Sequence, residues 1–249
     1  MLYPIRGQSD DYVPLGGIAI HVNSKGQHAG FLLRVDSVVL YLHMAWHYDF
    51  RVEIAPRSGY FANVKLNRPN LLLLSSWLKK KAKIDKLFNQ IPYKLEDIPY
   101  SFFCDRTPFD MGGNWADSKT GAGLTCATFI VATFDTLKFN FINKSAWRER
   151  EGDAVFISMV VSGLRESLQD PTLTPQFRAD LQRHVEYIET NMDRISRVRP
   201  LDVVGAALRW DGANFLDFNL VSVWSSCSDQ ILKTVNLLAQ TKRPQPFSA

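Results

Sequence analysis

The first sixty residues alternate short, β-branched apolar runs with polar breaks, which is the pattern of strands joined by tight turns. Residues 17–22 form the first run, ended by the turn residues Asn23, Ser24, Lys25 and Gly26. Residues 28–35 and 38–43 flank Asp36 and Ser37 and predict a hairpin, and residues 50–55, closed by Pro56, predict a further strand. From Asn70 the pattern changes. Leu71, Leu72, Leu73 and Leu74, followed by Trp77, Leu78 and a run of lysines, predict a helix with one buried face, although the period is blurred. Residues 103–123 contain Pro108, Gly112, Gly113, Gly121 and Gly123 and read as a long loop, a feature that in compact domains is often functional. Thr125 is placed as the N-cap of a helix whose apolar positions continue through Phe129, Ile130, Ala132, Phe134 and Leu137. Helices are also predicted over residues 153–168, 175–195, 201–208 and 226–238. Thr174-Pro175 and Arg199-Pro200 supply starts with proline in the first turn. No repeat or low-complexity segment is seen, and residues 242–249 read as a loose tail.

The predicted class is therefore α+β. Strands come first, a cysteine-bearing helix follows, and a helical C-terminal extension completes the chain. The 249 residues divide on this reading into a core of residues 1–145 and a mainly helical region of residues 146–249 packed on it. With 46% hydrophobic and 22% charged residues the composition is that of an ordered globular protein, long enough to bury a core without disulfides or metal.

The net charge of +4 is a mild excess. Lys79, Lys80 and Lys81, with Lys83 and Lys86, read as the solvated side of a helix, and no aromatic-studded basic groove accompanies them, so nucleic acid is not an expected partner. No signal-like start and no bilayer-length apolar run is found, which predicts a cytoplasmic protein without an integral membrane segment; export by a signal-independent route would leave the same sequence. Cys104, Cys126 and Cys227 are an odd set with no CxxC spacing, which argues against a disulfide framework and a thiolate zinc site.

Candidate chemistry centres on Cys126. It follows Gly121, Ala122, Gly123, Leu124 and Thr125 and opens a long apolar helix. A helix N-terminus and a nearby imidazole both favour a thiolate, and glycines before it would let a substrate approach the backbone. Cys227, within Ser225-Ser226-Cys227-Ser228-Asp229, could also begin a helix but lacks the glycine loop, and Cys104 beside Asp105 and Arg106 reads as structural. Of five histidines, His184 lies in a charged helical segment and reads as a surface residue, while His21 has no evident companion in its strand. His28 stands at a strand start with Gly30 two positions on, on the same face, where the missing side chain leaves room beside the ring. His43, His47 or Asp49 could orient it. His43 and His47 are four apart, but no glutamate lies between them and their surroundings read as strand running into loop, so neither a metal nor another cofactor is expected.

His28-Ala29-Gly30, a second histidine at the end of the next strand and a cysteine far downstream at a helix start together resemble the circularly permuted papain-like group. That group comprises the permuted NlpC/P60 hydrolases and the lecithin:retinol acyltransferase-like proteins. The resemblance covers roughly residues 15–140 and rests on short motifs. It implies an antiparallel sheet packed on the cysteine helix, Cys126 as nucleophile, His28 as base and His43 as third polar residue. The interval between the two histidines is longer than the tight hairpin usual in the acyltransferase branch, which keeps His47 and Asp49 open as alternatives. The implied activity is that of a thiol hydrolase, a peptidase or amidase acting on a peptide, protein or peptidoglycan-like substrate. An acyltransferase or esterase, or an inactive binding module of the same fold, are the other readings. Asp110, Asn114 and Trp115 in the glycine-rich loop are the candidate substrate wall. The sequence sets no oligomeric state.

Overall fold

The computed structural model describes residues 3–4, 18–104, 107–143, 147–210 and 216. Seven strands form one sheet: β1 (Tyr3–Pro4), β2 (Ile18–Val22), β3 (Ala29–Val35), β4 (Val38–Trp46), β5 (Asp49–Ile54), β6 (Tyr60–Asn63) and β7 (Tyr93–Leu95). Their order is β1-β6-β2-β3-β4-β5-β7, and every neighbouring pair is antiparallel. The helices are α1 (Arg68–Lys81), the single turn α2 (Ile84–Leu87), α3 (Cys126–Thr136), α4 (Asp153–Ser167), α5 (Pro175–Thr190) and α6 (Pro200–Arg209). The α+β class and the antiparallel sheet agree with the sequence pattern.

The hairpin expected around Asp36 and Ser37 joins β3 to β4, pairing Val35 with Val38, and Asp36 adopts φ +51° in the turn. Strand β4 continues to Trp46, so His43 lies inside a nine-residue strand and not at its end. β1, β6 and β7 have no counterpart in the sequence pattern; two, four and three residues are too few to display an alternation. The helix expected over residues 226–238 and the whole environment of Cys227 lie outside the described residues.

Side-chain alternation divides the sheet into two faces. Phe31 and Leu33 of β3, Leu40 and Leu42 of β4, and Phe50 and Val52 of β5 enter the main core together with Phe129, Ile130 and Phe134 of α3. The Phe129 ring packs edge-on against both Phe31 and Phe50. Ala19, Leu32, Val39, Tyr41 and Phe61 form a second, smaller cluster on the other face. Helix α6 packs on β2, β6 and α3, and α4 packs on α5. The main cluster continues through Val160, Val185 and Val203 of these helices, so one core spans the sheet and the later helices.

The lysine run is not solvated throughout. Lys81 shares a helix face with Leu74, Trp77 and Leu78 and is 2 % exposed. Its ammonium bonds Asp97 at 2.5 Å and lies 5.1 and 5.3 Å from the Phe50 and Phe109 ring centres. A solvated reading fails for this lysine because helical spacing, not the charge, decides which side it faces.

Candidate active site

Thr125 is the N-cap of α3. Its hydroxyl accepts from the Thr128 N–H, and the Thr128 hydroxyl accepts from the Thr125 N–H, which satisfies two end groups of the helix reciprocally. Cys126 is thereby the first helical residue, where free N–H groups concentrate. Its sulfur faces the N–H groups of Ala29, Ala127 and Cys126 itself, and the Arg197 guanidinium contributes positive charge from a distance. The thiol is nonetheless buried, at 4 % exposure. Burial pushes its pKa up and outweighs the N–H groups and Arg197, so the resting group is a thiol and not the ready thiolate expected from its position.

The glycine loop is also not the flexible approach that its composition suggested. The Gly123 N–H donates to Phe103, Leu124 N–H to Pro99, and the Ser101 hydroxyl to the Gly121 carbonyl. A side chain at position 123 would collide with Pro99 and Ser101, and one at position 121 with the Tyr187 ring. The room left by these missing side chains is taken up by neighbouring protein.

His28 and His43 come together. His28 Nε2 and His43 Nδ1 are 2.7 Å apart, and His43 Nε2 reaches Glu53 Oε2 at 3.4 Å. Proton accounting orients the chain. A carboxylate only accepts, so His43 carries its proton on Nε2; its bare Nδ1 then takes the His28 Nε2–H, and His28 Nδ1 is left as the basic nitrogen. Gly30 makes the arrangement possible. An added Cβ there would lie 2.6 Å from the Leu42 oxygen and the Tyr41 ring and 2.7 Å from the His43 Cβ. Tyr41 stacks on His43 at 4.3 Å and meets His28 edge-on at 6.3 Å. Gly30→Ala is accordingly expected to destabilise the protein by about 2 kcal/mol through overpacking. Denaturant unfolding measures this, and an unchanged midpoint would show that the pair does not need the glycine.

Burial holds both imidazoles neutral. His28 is lowered to about 4 by desolvation, then by His43 and Arg51, against an upward pull from Glu53. His43 is likewise lowered to about 4, by desolvation first. His28 immediately precedes Ala29, whose N–H meets the Cys126 sulfur, so the two segments converge at one end of the sheet. Among the described residues neither imidazole makes a hydrogen bond to that sulfur, and both rings gather on the Tyr41 face.

Of the alternatives for the orienting group, Asp49 is engaged by Arg51, whose Nε contacts both carboxylate oxygens at 3.0 Å. His47 belongs elsewhere: its Nδ1 accepts from the Tyr100 N–H at 3.1 Å and its ring lies 4.9 Å from that of His184. His184, expected at the surface, is buried and bonds the Tyr100 carbonyl at 2.9 Å, because it shares an apolar helix stripe with Leu181, Val185 and Ile188. His21 also has partners, the Ser58 carbonyl and the Tyr41 ring.

Of the expected substrate wall, Asp110 and Asn114 spend their polar atoms on each other. Asp110 accepts from the Asn114 backbone at 2.8 Å and from its side chain at 2.9 Å, which closes a turn. Trp115 packs on Phe109 and lines a cavity of about 450 Å³. That cavity and another of about 350 Å³ are lined by parts of the 117–122 loop, but not by Cys126, His28 or His43. Glu53 was not anticipated. The signal was present in the polar positions Arg51 and Glu53, which alternate with apolar Phe50 and Val52 on β5. Comparisons with protein-family models, curated proteins and solved structures find no match for the chain.

Proposed function

We propose that this protein is a cysteine-dependent hydrolase of the permuted papain-like kind, cleaving an amide-type bond through a thioester. The observation that carries the reading is the ordered chain Glu53–His43–His28, with a bare His28 Nδ1, on the segment whose next N–H meets the Cys126 sulfur. In this reaction His28 takes the thiol proton and Cys126 attacks the acyl carbon. The imidazolium then protonates the leaving amine, and the same imidazole activates the water that releases the acid. The Cys126 and Ala127 N–H groups, free of helix partners, are donors for the oxyanion. His43 and Glu53 act on His28, holding its tautomer and its ring. A thiol that is neutral at rest acquires its charge only as the proton moves to His28.

A non-catalytic module is the second reading, favoured by the buried sulfur and the lack of an imidazole bond to it. A peptide vinyl sulfone separates the two. Catalysis requires one adduct, on Cys126, formed by native protein at neutral pH and abolished in Cys126→Ser with the melting temperature retained. Labelling that appears only after denaturation would establish the inert module.

A further inference from the structure

Tyr100 presents both of its backbone groups to imidazoles, and the outcome is a matched pair of ring nitrogens. Its N–H donates to His47 Nδ1 at 3.1 Å, so neutral His47 carries its proton on Nε2 and offers a donor. Its carbonyl takes the His184 Nε2–H at 2.9 Å, so neutral His184 is left with a bare Nδ1 and offers an acceptor. Burial lowers the pKa of both, His47 to about 3, which keeps each neutral and its tautomer defined. The ring centres are 4.9 Å apart, and both residues line the cavity of about 450 Å³. Their second nitrogens enter no described hydrogen bond, are absent from the buried atoms that lack one, and belong to rings that line this cavity; His47 also borders a neighbouring cavity of about 890 Å³.

The remaining lining narrows the ligand. Tyr48, Trp115 and Phe177 supply aromatic surface. Each acid at its edge has a basic partner, Asp97 with Lys81, Glu96 with Lys94 and Asp180 with Arg183, and Asp97 Oδ1 is left buried without a hydrogen bond. Asp117 and Lys119, which also line it, are of opposite sign and adjacent in the same turn. A neutral ligand fits these walls better than an ion. A donor beside an acceptor is the complement of one residue in an extended peptide, whose own N–H and C=O point to the same side, whereas the C=O and N–H of a single trans amide point to opposite sides. Gly121 and Ala122, on the loop that runs into Cys126, complete the wall.

We infer that this cavity is a subsite for one apolar or aromatic residue of a neutral, extended peptide, with His47 donating to that residue's carbonyl and His184 accepting from its N–H. The inference names the substrate class of the proposed hydrolase and takes its link to Cys126 from that reading; binding itself does not depend on it.

The test uses the full chain as Cys126→Ser, so that turnover cannot intervene, titrated with N-acetyl-phenylalanine N-methylamide and with its analogue methylated at the phenylalanine nitrogen, which lacks that residue's N–H. The unmethylated peptide is expected to bind about tenfold more tightly, the value of one unmet hydrogen bond to a partly buried group. It is also expected to move the His47 Nε2 and His184 Nδ1 resonances together. His184→Phe should erase the preference between the two ligands, and the resonance shifts in otherwise native protein cover the case in which that variant does not fold. Equal affinities, or shifts confined to other residues, would overturn the subsite while leaving vinyl sulfone labelling of Cys126 untouched. Selective binding without labelling would retain the subsite and remove the hydrolase.

Discussion

His28→Ala is expected to slow vinyl sulfone capture of Cys126 by about a thousandfold, in the middle of the range for loss of a positioned acid–base group. The buried thiol has no other described imidazole on the adjoining segment, and its raised pKa makes unassisted ionisation rare at neutral pH. His43→Ala should cost less, because the base itself survives and only its tautomer and ring position are freed. Glu53→Gln should cost least, about tenfold or below, since its bond to His43 is 3.4 Å long. A structural role for Glu53 would affect rate alone, whereas an electrostatic one moves the pH profile. The Glu53 charge pulls the His28 pKa upward and Arg51 pulls it down. Glu53→Gln should therefore carry the acid limb of the labelling rate to lower pH, and Arg51→Ala should carry it to higher pH. Equal labelling rates in wild type and His28→Ala would remove the base from the mechanism.

The parts of this arrangement that sequence made visible are those set by local rules. Thr125 followed by a 3–4 spaced apolar run marks the start of α3, and the structure begins that helix at Cys126. His28 with Gly30 two positions on marks one strand face, and the ring of Tyr41 fills the room the glycine leaves. What stayed hidden depends on register between strands. Glu53 lies directly opposite Tyr41, and Arg51 opposite His43, so the contact between His43 and Glu53 is diagonal. That register is set by a turn with Tyr48 at φ +51° and a shift between Met44 and Trp46, neither of which has a distinctive composition. His184 and Lys81 were misplaced for another reason. Both belong to apolar stripes at helical spacing, but charged neighbours in sequence obscured the stripe. The glycine loop shows the limit of composition most directly, because a space meant for a ligand and a space filled by Tyr187 require the same residue.

Acid should destabilise this protein from about pH 6.5 downward, since all five histidines are held neutral mainly by burial. His21, His28 and His43 are lowered to about 4 and His47 to about 3, while an unfolded chain binds these protons near 6.5. Between those limits the unfolded state holds more protons than the folded one, so stability falls as pH falls. The contribution is complete above 6.5 and is lost progressively on the way down to about 4. For His21, which is 2 % exposed, the difference amounts to about 3 kcal/mol, a large part of the total of about 5–15 kcal/mol that holds an ordinary domain together. His28 and His43 repel each other when charged and titrate as a pair, so their contributions do not simply add. Denaturant midpoints should be level from pH 8 to 7 and then drop steeply, with the slope reporting the number of protons taken up on unfolding. His21→Gln, a neutral side chain that can still donate to Ser58, should remove about one proton from that slope while leaving the midpoint at pH 8 within about 1.5 kcal/mol. A stability that stays level down to pH 4.5 would mean that the imidazoles accept protons in the folded state, and the closed, neutral Glu53–His43–His28 chain would have to be abandoned with it.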